Sequence, residues 1–212
     1  MKYSIKLRKM FILLASGTIC VYSFDQETAL LEKLQRPEHI KDSDGKSINQ
    51  LITTMDFATV VPPKYDCEVL QDRTLEEKEE LVEDTGEENM IILGFSKGTF
   101  AFVSVEQTDK IYARFSIHRQ AIVRIEEMNI RGLFISMCAE FSLNIWGFKN
   151  GNIIIYISLQ TFRPVKEISF CKETMMLSFE NRDSELFEMN TDPMQLELVH
   201  KEKLNEHSGI IT

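Results

Sequence analysis

Histidine and serine are among the side chains that can serve acid–base or nucleophilic catalysis. The histidines are His39, His118, His200 and His207. None is paired with a nucleophile, and Ser136 lacks the flanking glycines that expose a catalytic serine at a sharp turn. The glycines open strand-like segments and not helices, so they do not form a phosphate-binding loop. The sequence therefore predicts a protein that is not an enzyme and carries no cofactor.

The cysteines and the acidic residues do not form a metal site. Cys20, Cys67, Cys138 and Cys171 lie far apart, and no histidine pair accompanies them at zinc-finger spacing. The glutamates of the stretch 74–84 lack the alternating oxygen ligands and the loop glycine of a calcium-binding EF-hand. Cys20 and Cys138 fall inside apolar runs, where a reduced buried thiol is the commoner state. This usage favours a reducing compartment, and a cytoplasmic protein is expected.

The acidic stretch 74–84 has the composition of a solvated insertion. Pro62 and Pro63 precede it and interrupt regular structure. It could extend one face of the protein toward a basic partner. The candidate partner-binding residues are Glu76, Glu77, Glu79 and Glu80. The formal net charge of -9 disfavours nucleic acid as a partner, because phosphate binding requires clustered lysine and arginine.

The amino terminus supports two interpretations. Basic residues precede the apolar run Met10 to Tyr22, and Val21-Tyr22-Ser23 has the small-residue spacing of a cleavage site, as in a signal peptide. On that interpretation the protein is secreted or lumenal and its four cysteines could form two disulfides. The other interpretation is a pair of strands joined by the turn Ser16-Gly17-Thr18. No apolar run approaches the roughly 20 residues of a membrane span, so no membrane interaction is expected.

A similar phrase occurs twice in the chain, and it favours the strand interpretation. Ile12 to Phe24 and Ile92 to Val105 each contain an apolar run, a serine–glycine turn and alternating apolar residues. The second copy lies in mid-chain, where a signal peptide cannot be. Asn150-Gly151 is a further hairpin signal, and Lys110 to Ile117 alternates with a period of two. The sequence therefore predicts an all-β fold built from successive hairpins.

The segment from His118 to Trp146 resembles a unit of the WD-repeat family. In that family a histidine opens the unit, a serine lies in the second strand, and the third strand ends in tryptophan–aspartate. His118, Ser136 and Trp146 stand at these three places. The resemblance implies a β-propeller of four-stranded antiparallel blades, in which these side chains and a turn aspartate form a network that locks the blade. Glu140 stands where the turn aspartate is expected, and Gly147 replaces the aspartate after the tryptophan.

A second register of the repeat places Trp146 differently. Residues 147–152 also match residues 94–99, which would put Trp146 on a second strand instead of a third. The first register is preferred because it accounts for His118. It also spaces the last three third-strand segments about 43 and 42 residues apart, as blades of 40 to 45 residues require.

The resemblance implies a partial propeller. The expected units are a partial blade and the start of the next at 1–57, the acidic insertion loop at 58–88, the completion of the interrupted blade at 89–117, the best WD-like blade at 118–160, a further degenerate blade at 161–200 and the truncated start of another at 201–212. About three blades cannot close a propeller, which typically has 4 to 8. We therefore expect a fragment or isoform of a larger WD-repeat protein, or open edges that another chain completes.

The function implied by the resemblance is a non-enzymatic scaffold for protein–protein interaction. Propellers present rigid loops at the two ends of their sheets, and partner proteins bind there. At the level of the fold alone, cytoskeletal and ciliary assemblies are settings in which degenerate repeats with insertions occur. The identity of the partner is not encoded in any motif.

Overall fold

The computed structural model describes most of the chain, and it is built from strands. The described residues are 1–4, 7–24, 28–42, 45–59, 90–128, 132–149, 152–171, 174–180, 183–192 and 195–204. Within them lie sixteen strands and one short 3-10 turn, Pro37–His39. The predicted all-β fold is thereby confirmed. In this part of the chain there is no apolar helix of membrane-spanning length.

The strands form four antiparallel sheets of four strands each, and each sheet uses strands that are consecutive in the sequence. The first sheet contains β1 (Lys2–Ser4), β2 (Lys9–Leu13), β3 (Ile19–Phe24) and β4 (Ala29–Gln35). The second contains β5 (Ile52–Ala58), β6 (Met90–Phe95), β7 (Thr99–Ser104) and β8 (Ile111–Ser116). The third contains β9 (Ile122–Glu127), β10 (Leu133–Cys138), β11 (Ser142–Lys149) and β12 (Asn152–Gln160). The fourth contains β13 (Val165–Cys171), β14 (Thr174–Phe179), β15 (Ser184–Asp192) and β16 (Gln195–Leu204).

The first and last units differ from the sequence expectation. The first sheet has all four strands, whereas a partial blade was expected at 1–57. Its first strand, β1, is only three residues long, which is too short to show a period-two pattern. At the other end, Lys201 to Leu204 continue β16 of the fourth sheet and do not start another blade, because pairing with β15 extends to Ser184 opposite Leu204.

The repeated phrase of the sequence corresponds to the same hairpin in two sheets. It forms the turn between β2 and β3 in the first sheet and the turn between β6 and β7 in the second. Gly17 and Gly98 adopt φ angles of 76° and 74°, a left-handed conformation that favours glycine. Their amides donate to the carbonyls of Leu14 and Phe95, which closes each turn.

Three apolar cores hold the four sheets together, one between each pair of successive sheets. Between the first and second sheets, Phe11, Ile19 and Val21 pack against Leu93 and Phe95. Buried residues of the second and third sheets, among them Ile92, Phe100, Phe102, Phe134 and Trp146, form the next core. Between the third and fourth sheets the core includes Ile135, Ile145, Leu177, Phe187 and Met189. Burial of these faces is the main source of stability of the stack.

The connections between sheets and the turns between second and third strands lie at one end of the sheets, called here the linker end. It comprises the turns 14–18, 96–98 and 139–141, with Glu180 and Asp183, and the described residues of the connections 36–51, 117–121 and 161–164. The placement follows from the register, since the last residue of β4 lies opposite the first of β3 and the same holds for β12 and β11. Adjacent segments are bonded there, as between the amide of Ser96 and the carbonyl of Leu51 (2.9 Å).

Candidate binding surface and the blade-locking network

Three of the four predicted network residues come together in the third sheet. Trp146 lies on β11, the third strand, as the preferred register requires, and pairs with Phe134 on β10. Ser136 is two residues further along β10, so its side chain lies on the same face of the sheet as the indole. The indole Nε1 donates to Ser136 Oγ (3.1 Å), and Ser136 Oγ lies 2.8 Å from His118 Nε2. The three residues join the connection before β9 to the middle of the sheet.

The fourth predicted residue, Glu140, does not join this network. It is exposed on the turn between β10 and β11, and its backbone carbonyl accepts a hydrogen bond from Gln160 Nε2 (2.7 Å). The side chain that reaches the connection instead is Asn144, whose Nδ2 donates to the carbonyl of Ile117 (3.3 Å). Its Oδ1 has no hydrogen-bond partner within the described structure.

Asn144 was missed at the level of sequence, although a signal was present. It is a polar residue between Leu143 and Ile145 in an apolar strand, where asparagine is depleted. It is only 4% exposed and lies opposite Ser136 across the strand pair. Buried polar side chains in strands usually have a bonding role, and here the role is to hold the backbone next to His118.

Burial makes His118 a neutral residue at ordinary pH. The side chain is buried, and desolvation of the charged form lowers the pKa of His118 from 6.5 to about 4, although a hydrogen bond with the backbone of Ser136 acts in the opposite direction. The imidazole therefore stays uncharged in the folded protein near neutrality. It serves the network as a hydrogen-bonding group and is a poor general base for that pH range.

The low pKa of His118 predicts a pH-dependent stability. The unfolded chain binds a proton near pH 6.5 and the folded chain only near 4, so stability is full above 6.5 and falls as the pH drops toward 4. The expected loss is on the order of 3 kcal/mol, measured by urea unfolding at a series of pH values. His118→Gln should remove this dependence of the unfolding free energy on pH. His200→Gln, at an exposed position, should leave it unchanged. If the unfolding free energies of the wild type and His118→Gln fell in parallel as the pH is lowered, His118 would not be the source of the pH dependence.

The acidic candidates lie outside the described residues. Glu76, Glu77, Glu79 and Glu80 belong to the segment 60–89, whose structure is not described. The last described residue before that segment is Thr59. Its amide and hydroxyl both bond to the Glu127 carboxylate, at 2.6 and 2.8 Å, and this carboxylate also accepts from the amide of Gly132 (3.3 Å). Glu127 of the third sheet thus fixes the point from which the acidic segment departs.

Phe162 is the most exposed large apolar side chain at the linker end. It lies in the connection from β12 to β13, is 82% exposed and has a φ of 56°, in the left-handed region. Bulky residues rarely adopt this conformation unless their surroundings impose it. The sequence did not predict a role for Phe162, because the residues next to it in the chain do not determine its exposed fraction or its φ angle.

The backbone on both sides of Phe162 is held in place. The amide of Thr161 donates to the carbonyl of Phe141 (3.1 Å), and the Thr161 hydroxyl lies 3.0 Å from that oxygen and 2.9 Å from the carbonyl of Arg163. The Arg163 guanidinium bonds to Asp183 (2.9 Å) and to Glu185. It also lies over the ring of Phe179, 3.9 Å from its centroid. Phe162 is therefore presented to solvent from a fixed loop.

A groove of about 550 Å3 opens at the same end, between the turn 14–18 of the first sheet and the connection 36–51. It is lined by Ser16, Thr18, Arg36, Pro37, Glu38, Ile48, Asn49, Gln50 and Leu51. Its lining mixes apolar side chains with hydrogen-bonding groups and an ion pair between Arg36 and Glu38 (3.8 Å).

Comparison with known proteins identifies the fold of the chain but does not assign the chain to a family. No protein-family model and no curated protein matches the chain. Among solved structures, the chain is similar to the crystal structure of the Cps50 (Swd1) beta-propeller domain of Myceliophteria thermophila, with a TM-score of 0.61 and 9% sequence identity. The match covers 93% of this chain and 56% of that one, so the chain spans little more than half of that domain. At this identity the likeness shows the fold alone: the four sheets have the arrangement of a β-propeller.

Proposed function

We propose that this chain is a non-enzymatic protein-interaction scaffold of the WD-repeat type, and that its partner binds at the linker end around Phe162. The observation that carries the proposal is the exposed Phe162 ring on a loop fixed from both sides. An aromatic side chain on a loop that is already fixed loses little conformational entropy on binding, and such side chains are typical centres of protein–protein interfaces. The buried network of His118, Ser136 and Trp146 supports a structural and not a catalytic use of the polar residues.

The charges near Phe162 define the partner further. Arg163 is occupied by Asp183 and Glu185, so the basic group closest in sequence is not available to an acidic ligand. Glu140 and Glu180 are exposed on turns at the same end of the third and fourth sheets. A partner protein with an apolar pocket and a basic rim would fit this surface. Nucleic acid would be repelled by the same carboxylates, and the net charge of -9 adds to that repulsion.

The proposal is tested by placing a photo-crosslinking phenylalanine analogue at position 162 of the full chain in cells. We expect covalent capture of a discrete protein species, absent when the analogue is placed at position 199, which is 46% exposed on the outer strand β16. Phe162→Ala should weaken binding of the captured protein by about 30-fold, as loss of an interface anchor does, and Phe162→Tyr should largely retain it. Equal crosslinking at both positions, or unchanged binding by Phe162→Ala, would overturn the proposal.

The compartment belongs to the same proposal: the scaffold acts in the cytoplasm with reduced cysteines, and the competing assignment is a secreted protein with a cleaved leader. Cys20 and Cys138 are buried free thiols and Cys171 is an exposed one. Cleavage near Ser23 would remove Phe11, Ile19 and Val21, which belong to the first core. Counting thiols in the unfolded, non-reduced protein separates the assignments, because four reactive thiols are expected here and none in a protein with two disulfides.

A further inference from the structure

The outer strand of the third sheet, β12, forms an edge at the side of the stack, called here the β12 edge. Among the described strands β12 pairs with β11 alone, so its other side presents backbone groups away from the sheet. The second sheet covers one face of the third sheet and the fourth sheet covers the other. Further sheets of a propeller would add beside the first or the fourth sheet, and they would leave the β12 edge as it is.

The β12 edge is apolar and has no charged residue along its nine positions, Asn152–Gln160. Ile154, Ile155 and Tyr156 are 37%, 47% and 37% exposed. Natural sheet edges usually carry charges, which prevent pairing with other chains. The other three outer strands follow this rule, with Glu32 and Lys33 on β4, Arg114 on β8 and Lys201 on β16. The β12 edge therefore lacks a protection that the corresponding edges have.

A β-bulge in β12 does not replace this protection. The register with β11 shifts at Tyr156, and the register of each other outer strand shifts at one corresponding residue. These residues are Glu32, Tyr112 and Lys201. A bulge bends a strand and redirects a side chain. Because all four sheets share it, the bulge belongs to their common architecture, and the absence of charge is what distinguishes β12.

The β12 edge leads directly to the loop of Phe162. β12 runs toward the linker end, where Gln160 pairs with Ser142, and Phe162 follows two residues later. Gln160 and Thr161 tie this end of the strand to the turn 139–141, through hydrogen bonds to the carbonyls of Glu140 and Phe141. A segment paired with β12 would therefore continue to the surface around Phe162.

We propose that the partner protein adds an extended segment to the β12 edge, as a fifth strand of the third sheet. The backbone of another strand matches a row of edge N–H and C=O groups, and the exposed isoleucines and Tyr156 select apolar side chains on that strand. A second copy of this chain is a poorer occupant, because pairing would bring together two chains of net charge -9. The inference rests on the proposed scaffold function and adds the form in which the partner binds.

The test places a photo-crosslinking phenylalanine analogue at position 154, 156 or 158 of the full chain in cells, and each crosslinked residue is identified by mass spectrometry. We expect the three positions to capture one continuous segment of one protein, at residues that follow the order of 154, 156 and 158 or its reverse. The control is position 123. Val123 is 45% exposed on β9, at the opposite edge of the same sheet, and should not capture this segment.

A pair of charge substitutions tests the same edge by affinity. Ile155→Lys places a charge on the β12 edge and should weaken binding of the captured protein about tenfold. Val123→Lys places the same charge at a similarly exposed position and should leave binding unchanged. Circular dichroism and thermal unfolding establish that both variants retain the sheets. Equal weakening by the two substitutions would refute the assignment to the β12 edge.

The crosslinking outcomes separate this proposal from the role of Phe162. No capture from positions 154, 156 and 158 would overturn strand addition, and so would capture of residues that follow no order. Capture of residues 152–160 of a second copy would show self-pairing and would also overturn it. Capture at position 162 without capture at the β12 edge would refute strand addition alone. Ordered capture at the edge without capture at position 162 would support strand addition and refute the assignment of Phe162.

Discussion

Replacing Trp146 by alanine is expected to lower the free energy of unfolding by about 3 to 5 kcal/mol, since a fully buried aromatic side chain leaves a cavity. The indole is completely buried between Phe134 of its own sheet and Phe100 of the second sheet, with centroid distances of 4.6 and 4.5 Å. Its removal also leaves Ser136 Oγ without the donated hydrogen bond. The substitution therefore weakens both the core between two sheets and the network that fixes the connection.

The loss is measured by urea unfolding followed by circular dichroism, because Trp146 is the single tryptophan and fluorescence is lost with it. Phe162→Ala is the matched control, an aromatic residue replaced at a position that is 82% exposed, and should change stability by less than about 0.5 kcal/mol. Trp146→Phe keeps a stacking ring but loses the N–H group, and an intermediate loss is expected. A loss below about 1 kcal/mol for Trp146→Ala would contradict the buried position.

Gly98→Ala is expected to destabilise the protein by about 2 to 5 kcal/mol, from two separable causes. With φ at 74°, an L-residue in the left-handed region costs roughly 1 to 2 kcal/mol. A Cβ atom at Gly98 would also lie 2.1 Å from the backbone oxygen of His118, which forces the connection to move. Overpacking of this kind adds about 1 to 3 kcal/mol. The Gly98 carbonyl that accepts from the amides of Ile117 and His118 would be displaced in the process.

Gly45 provides the control for this substitution. Its φ is also 74°, but nothing lies within 4 Å of the place of a Cβ atom, so Gly45→Ala should show only the conformational cost. The difference between the two unfolding free energies isolates the close approach of the hairpin to the connection. Equal losses in the two variants would show that this approach does not constrain the backbone.

Local patterns made the strands and the main network predictable. Period-two alternation and glycine turns indicate hairpins because each depends only on neighbouring residues. The spacing of His118, Ser136 and Trp146 is set by strand and turn lengths, so the resemblance identified three residues that the structure brings together. Glu140 did not follow, since a turn side chain is free to point into solvent.

Contacts between segments far apart in sequence could not be predicted. The hydroxyl of Thr53 bonds to the carbonyl of Ile122, and Thr59 to Glu127, across 69 and 68 residues. These bonds join the second sheet to the third, and no local pattern encodes them. The short strand β1 was missed for a related reason, because three residues have no periodicity and gain a strand conformation only by pairing with β2.

By itself the sequence determined that this chain forms successive antiparallel hairpins and where its histidine, serine and tryptophan unit lies, because side-chain alternation, turn glycines and repeat spacing are properties of short segments. Only the tertiary structure decided which surfaces remain uncovered. The exposure of Phe162 and the burial of Trp146 between the second and third sheets depend on which segments lie next to each other in space. The alternating pattern of residues along a strand is the same whether a neighbouring sheet or solvent covers that face of the strand.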